Sequence, residues 1–213
     1  MAVWAIVVAA GTGSRFGGPK QYEALGDRRV LDWSLAAVRS VASGVVLAVL
    51  PERADAPEPA ADVVVAGGAT RSASVRAALA AIPESADVVV VHDGARPLAS
   101  PALFEAVVAA VRAGADAAVP GIPVADTVKR VVDGVVLTTL DRTDLVTVQT
   151  PQAFSAAALR QAHDDTASAT DDAALVEAVG GRVVVVPGEA DNAKLTTPAD
   201  LSAARRRVGR PGP

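Results

Sequence analysis

The sequence predicts an α/β fold, a mostly parallel β-sheet flanked by helices. Three observations carry that expectation. Short apolar runs alternate with stretches in which apolar residues recur every three to four positions. As far as Val119 the alternation reads β-α-β-β-α-β-α-β, the order of parallel strands joined by helical crossovers. Past Pro120 one β-rich segment intervenes before the helical pattern resumes, which reads as an arm on a single domain spanning 1–213.

Taken in order, Val3 to Ala10 is an apolar run without charge and reads as a buried strand. It enters Gly11-Thr12-Gly13-Ser14-Arg15-Phe16-Gly17-Gly18-Pro19-Lys20, a loop with four glycines and two cations. Val30 to Val41 has helical spacing at Val30, Leu31, Ser34, Leu35, Val38 and Val41. Val45 to Leu50 is a second strand closed by Pro51, and Arg53 to Ala61 a surface loop. Val63 to Ala66 is a third strand, broken by Gly67-Gly68, and Thr70 to Ile82 a helix. Asp87 to Val91 is the fourth strand. Ser100 N-caps a helix with Pro101 at its first position and Leu103, Val107, Val108 and Val111 facing inward. Asp116 to Val119 is the fifth strand. The arm, 123–148, contains a hairpin at Val131 to Val136 that turns on Asp133-Gly134. Ser155 to His163 and Asp171 to Val179 are helical, Arg182 to Val186 is a last strand, and Thr197 to Arg207 a last helix. The basic tail from Arg205 to Pro213 reads as a solvated end.

Composition bounds the function. Hydrophobic residues make up 51% of the 213 but aromatics only 3%, so the core is built from Ala, Val, Leu and Ile. A net charge of -4 argues against general nucleic-acid binding. With no Cys and two His, disulfides and thiolate metal sites are excluded, and a reducing cytoplasm is the expected location. The apolar N-terminal stretch lacks a basic leader and is too short to span a bilayer, so no membrane association is expected. The metal expected of such a chain is Mg²⁺, held by carboxylate and substrate phosphates.

Ligands of an open parallel sheet bind beyond the carboxyl ends of its strands. The polar clusters that follow the strands are Gly11–Lys20, Gly67–Ser74, His92–Pro97, Asp126–Lys129, Asp141-Arg142, Gln149–Gln152, Thr170–Asp172 and Asp191–Thr196. The first reads as a phosphate cradle or as an ordinary βα turn with surface cations. Its glycine spacing is neither that of dinucleotide-binding turns nor the Walker order. Asp93 reads as a metal ligand or a capping residue, His92 as a structural histidine, and Lys194 as a functional or a surface lysine.

The first loop resembles the signature of nucleotidyltransferases that activate sugars and polyols: a strand ending in Ala-Ala-Gly, then an Arg and a Lys. With Pro19-Lys20-Gln21-Tyr22 it resembles the cytidylyltransferases that act on 2-C-methyl-D-erythritol 4-phosphate. The resemblance continues through His92-Asp93-Gly94-Ala95-Arg96-Pro97, Asp126-Thr127-Val128-Lys129-Arg130, Thr150-Pro151-Gln152, Thr170-Asp171-Asp172-Ala173 and Asp191-Asn192-Ala193-Lys194-Leu195-Thr196, from Ala9 to about Leu201. Two departures stand out: the segment between Arg15 and Pro19 is shorter than usual, and Ala69 stands where the family often has Asp.

The resemblance implies a nucleotidyltransferase fold with a protruding β-arm, and transfer of a cytidylyl group from CTP to a polyol phosphate with release of pyrophosphate. It implies Arg15, Lys20 and Lys194 as catalytic cations and Asp93 as the Mg²⁺ ligand. Ala9, Ala10, Gly11, Thr12, Gly13, Gly68, Ala69, Ser74, Asp93 and Gly94 would bind CTP. Thr127, Arg142, Thr150, Thr170 and Arg96 would bind the acceptor, with the arm of one subunit completing the site of its partner in a homodimer. Three other readings stay open: a sister enzyme using ribitol 5-phosphate, a dinucleotide-binding oxidoreductase with Glu52 as its ribose acid, and a non-catalytic nucleotide sensor.

Overall fold

The computed structural model describes residues 1–164, 169 and 171–209. Seven β-strands run through the main sheet in the order β10-β7-β11-β6-β1-β4-β5, and β12 pairs with β7 to make it eight-stranded. In chain order they are β1 (Val3–Ala9), β4 (Gly44–Val49), β5 (Val63–Ala66), β6 (Val88–Asp93), β7 (Ala117–Pro123), β10 (Val146–Val148), β11 (Gln152–Ser155) and β12 (Val183–Pro187). β1 lies parallel between β4 and β6, so its side chains are buried on both faces, as an uncharged run requires. Val3, Ala5, Val7 and Ala9 pack on one face with α1 (Val30–Val38) and α3 (Pro101–Arg112). Ile6 points the other way, towards α2 (Arg71–Leu79), α4 (Ala156–His163) and α5 (Asp172–Ala178). A third cluster, Leu25, Val30, Leu195, Leu201 and Ala204, docks α6 (Pro198–Val208) beside the small hairpin β2 (Ala24–Leu25) and β3 (Arg28–Arg29).

The Ser100 cap forms as the sequence predicts, and a second cap appears on α6. Ser100 accepts the Leu103 N–H at 3.2 Å, and Thr197 with Asp200 closes a capping box on α6. The Asp133-Gly134 turn has φ of +49° and +78°, the two left-handed residues a tight hairpin needs.

Four expectations are corrected. β6 runs on to Asp93 because His92 and Asp93 pair with Val7 and Val8, so the carboxylate sits on the strand's last residue. α1 ends at Val38, short of Val41. β11, antiparallel to β6 and β7, was not expected: its four residues are fixed by tertiary pairing and carry no periodicity. The 123–148 stretch also divides. β8 (Lys129–Val132) and β9 (Val135–Thr139) form a separate hairpin, whereas β10 joins the main sheet. Among the described residues no helix is long and apolar enough to cross a membrane.

Candidate active site

The glycine loop is held from below by a buried amide. Gln21 Nε2 donates to Ala9 O at 2.7 Å and Gly11 O at 3.0 Å, which fixes the short 3₁₀ turn Lys20–Tyr22 against the end of β1. The Gly13 carbonyl then accepts the N–H groups of Phe16, Gly17 and Gly18 and closes the loop on itself. This arrangement brings Lys20, Gly11 and Thr12 to the cleft, while Arg15 stays exposed outside its lining.

After β5 the chain turns at Gly67-Gly68. Ser74 Oγ accepts the Gly68 N–H at 3.1 Å and donates to Thr70 O at 3.0 Å. A Cβ on Gly68 would lie 2.5 Å from that of Ala73, so only glycine permits this close approach.

Asp93 is the electrostatic centre. Lys194 Nζ lies 2.7 Å from Asp93 Oδ2, with Arg96 Nε at 3.8 Å, and Arg71 Nε lies 3.4 Å from Oδ1. Burial pushes the carboxyl up, but Lys194 and Arg71 outweigh it and hold it far below the usual carboxylate range. Burial first, then the nearby Lys194 and Arg15, lowers the pKa of Lys20. Lys194 arrives from the far end of the chain: Leu195 N donates to Ala95 O at 2.8 Å, and Arg96 Nη1 to Asn192 O at 2.7 Å. The buried Asn192 Nδ2 donates to Thr150 O at 2.8 Å.

Two cavities meet at this centre. One, of about 320 Å³, is lined by Ala9, Ala10, Gly11, Thr12, Lys20, Gly68, Ala69, Ser74 and others. A second, of about 270 Å³, is lined by Arg96, Gln149, Thr150, Gln152 and Asp171 among others, and both share Arg71, Asp93 and Lys194. The two clefts therefore offer a site for a polyanion and a neighbouring site for a second anion, with cations at the junction.

Thr150 lines the second cavity, but its hydroxyl proton is already committed. Arg96 O can only accept, so His92 Nε2 donates to it at 3.1 Å. Neutral His92 Nδ1 then accepts from Thr150 Oγ1 at 3.3 Å, and that oxygen accepts the Asp93 N–H at 3.0 Å. Burial lowers the His92 pKa to about 4 from an ordinary 6.5, so the ring is neutral at pH 7. Between pH 6.5 and 4 the unfolded chain takes up a proton that the folded chain refuses. Stability is expected to be complete above pH 6.5 and to fall by up to about 3 kcal/mol on the way to pH 4. Denaturant titrations over that range check this, and His92→Gln is expected to flatten the slope.

The sequence-predicted residues divide accordingly. Lys20, Asp93, Lys194 and Ala9, Ala10, Gly11, Thr12, Gly68, Ala69 and Ser74, expected to bind CTP, come together, with Arg96 and Thr150 beside them. Gly94 is buried behind Asp93, its carbonyl accepting from Ser34 Oγ at 3.2 Å, and none of Gly94, Gly13 and Arg15 lines either of the two cavities. Thr127 and Arg142 are exposed on the arm and line neither cavity, and Arg142 Nη1 donates to Val124 O at 2.7 Å. Thr170 lies outside the described residues. Glu52 is exposed and outside both cavities, away from where a ribose acid would stand. Gln21, Arg71 and Asn192 lie within quoted motifs, yet no pattern assigned them a part. Among the described residues no group of three or more His, Cys, Asp or Glu side chains could hold a metal.

Sheet topology, with a cation-ringed carboxylate at the strand ends, places the chain among proteins of the nucleotidyltransferase fold. The family model described as "2-C-methyl-D-erythritol 4-phosphate cytidylyltransferase" matches residues 3–210, and the chain belongs to that family. It is 45% identical to the 2-C-methyl-D-erythritol 4-phosphate cytidylyltransferase of Frankia casuarinae, covering 99% of this chain and 83% of that one. It is 47% identical to the "Bifunctional enzyme IspD/IspF" of Clavibacter michiganensis, covering 96% of this chain but 54% of that protein. The chain thus spans about half the length of its bifunctional relatives. The crystal structure of the 2-C-methyl-D-erythritol 4-phosphate cytidylyltransferase from Thermus thermophilus superposes with a TM-score of 0.82 at 39% identity, covering 95% of this chain and 97% of the other.

Proposed function

We propose that this chain transfers the cytidylyl group of CTP to 2-C-methyl-D-erythritol 4-phosphate, giving 4-diphosphocytidyl-2-C-methyl-D-erythritol and pyrophosphate. The observation that carries this is the meeting of Lys20, Asp93 and Lys194, from opposite ends of the chain, in one cleft. The nucleophile is a phosphate monoester oxygen, whose second pKa is about 6, so it is already ionised at pH 7 and no general base is required. The difficulty is like charge: two polyanions must be brought together and charge stabilised as the α-phosphate is attacked.

The roles follow from position. Gly11 and Thr12 cradle the triphosphate, with Arg15 closing over it from the exposed side of the loop. Lys20 reaches the α-phosphate and its leaving oxygens, and Lys194 leaves Asp93 to meet the same charge from the other side. Ala9, Gly68, Ala69 and Ser74 hold the base. A single carboxylate beside a polyphosphate cleft fits Mg²⁺, which takes one or two carboxylates and completes its shell with phosphate oxygens and water. Asp93 would hold that ion, which when bound neutralises phosphate charge.

The acceptor occupies the second cavity, beside Arg96; Thr170, outside the described residues, is assigned to it by the family resemblance alone. Thr127 and Arg142 reach it from the arm of a partner copy in a homodimer. The hairpin supports this reading: Val135 is 63% exposed and Leu137 57%, and an isolated two-stranded hairpin is marginal in water. The absence of Cys suits a cytoplasmic enzyme. Arg142→Ala is expected to raise the KM for the acceptor about 10-fold or more and to leave the KM for CTP within twofold, since a phosphate-gripping cation is lost from one lobe only. Equal loss for both substrates would place Arg142 elsewhere.

Pyrophosphate release from each of the four nucleoside triphosphates, with methylerythritol phosphate and with ribitol 5-phosphate, tests the function. The highest kcat/KM is expected for CTP with methylerythritol phosphate. Faster turnover with ribitol 5-phosphate would assign the sister activity, and no release with any pair would overturn the reading.

A further inference from the structure

Behind Arg71 lies a buried carboxylate that the proposed reaction does not use. Asp172, at the start of α5, is 0% exposed. Its Oδ2 takes Arg71 Nη1 at 2.5 Å, and its Oδ1 lies 3.0 Å from His163 Nε2, itself buried at the end of α4. Arg71 then places Nε 3.4 Å from Asp93 Oδ1. A continuous chain, His163–Asp172–Arg71–Asp93, thus joins two packed helices to the centre of the cleft.

The two oxygens of Asp93 have unequal partners. Oδ2 faces Lys194, whose side chain is 40% exposed, with Arg96 Nε farther off at 3.8 Å. Oδ1 faces Arg71, whose guanidinium is gripped from behind. Burial acts to lower the Arg71 pKa, but Asp172 and then Asp93 outweigh it, so the guanidinium is a fixed charge. When Lys194 turns to the phosphates, Oδ2 keeps only the more distant Arg96 Nε, at 3.8 Å, and Arg71 steadies Oδ1. An Arg71 without its anchor would be drawn fully onto Asp93 and would compete there with any cation. Groups of this kind, which orient a ligand without touching the metal, change metal affinity or activity 10- to 100-fold when removed.

We propose that Asp172, itself fixed by His163, is a positioning residue: it restrains Arg71 so that the Asp93 carboxylate stays oriented and available to a divalent cation when Lys194 departs. This rests on the proposed cytidylyl transfer only in taking Asp93 as the cation's ligand. Asp172→Asn keeps the shape and one acceptor but removes the charge that restrains Arg71. His163→Gln keeps a donor near the Nε2 position, and His163→Leu removes it.

The readout is the ratio of CTP dissociation constants without and with Mg²⁺, measured by calorimetry with no acceptor present. A general disturbance of the cleft weakens CTP in both conditions and cancels in the ratio. Asp172→Asn is expected to lower the ratio about 10-fold, His163→Leu about threefold, and His163→Gln to restore it to within twofold of the wild type. A ratio unchanged in Asp172→Asn, in a wild type that releases pyrophosphate, would overturn the inference and leave the function standing. Should Asp172→Asn fail to fold, an unchanged ratio in His163→Leu would overturn it equally. A wild type that releases no pyrophosphate yet shows the expected ratios would instead support the positioning role and sink the reaction.

Discussion

Lys20→Ala is expected to lower kcat by about 10²-fold or more, the scale on which a lost transition-state donor is felt. The fold should survive, because Lys20 contributes nothing to the apolar core. Its charge is held in a place that resists it: burial, Lys194 and Arg15 all act against the ammonium, and only Asp93 favours it. A cation kept there at a cost to folding is suited to meeting a polyanion. Lys194→Ala should cause a loss of the same order, since the second cation proposed to meet the charge on the α-phosphate is then missing. Pyrophosphate release at saturating substrates, beside circular dichroism and a melting curve, separates chemistry from folding. Near-normal turnover in either variant would remove that lysine from the reaction.

Gly13→Ala should be nearly as damaging by a different route. Gly13 has φ of +69°, and a Cβ built on it lies 1.8 Å from the Gly18 carbonyl oxygen. The left-handed backbone alone costs an alanine about 1–2 kcal/mol. The clash is the larger matter, because Gly18 cannot retreat without breaking the bonds that Phe16, Gly17 and Gly18 make to Gly13 O. The loop must therefore open, and the KM for CTP is expected to rise about 10-fold or more, in proportion to the loss of a preformed cradle. Gly17→Ala is the control. Gly17 also has positive φ, at +94°, but nothing lies within 4 Å of its Cβ, so only the backbone strain remains. Equal KM values in the two variants would show that the loop is not preformed.

Much of this was legible in the sequence because it is local. The uncharged run Val3–Ala9 reads as a buried strand, Asp133-Gly134 as a tight hairpin turn and Ser100-Pro101 as a helix start, and each forms as read. The glycine loop and its lysine were visible for the same reason, since glycines and cations lie side by side. What was not legible is held by contacts distant in sequence. β11 has four residues and no pattern of its own; β6 and β7 make it a strand. Arg71 and Asp172 are 101 positions apart, and each alone looks like an ordinary first-turn residue of a helix. Thr150 lines the second cavity, but its hydroxyl proton goes to His92 Nδ1 and one of its two lone pairs to the Asp93 N–H, which a linear reading of Thr-Pro-Gln does not reveal. Gln21 differs again: it stands beside Lys20, yet only the fold shows its amide pinning Ala9 and Gly11.

The most direct measurement is a crystal structure of the chain with CTP and Mg²⁺. Lys194 Nζ should have left Asp93, and both it and Lys20 Nζ should lie within about 3 Å of phosphate oxygens, with the Asp93 carboxylate on the metal. A triphosphate bound outside the cleft, with Lys194 still paired to Asp93, would contradict the claim that these charges act together on one phosphorus.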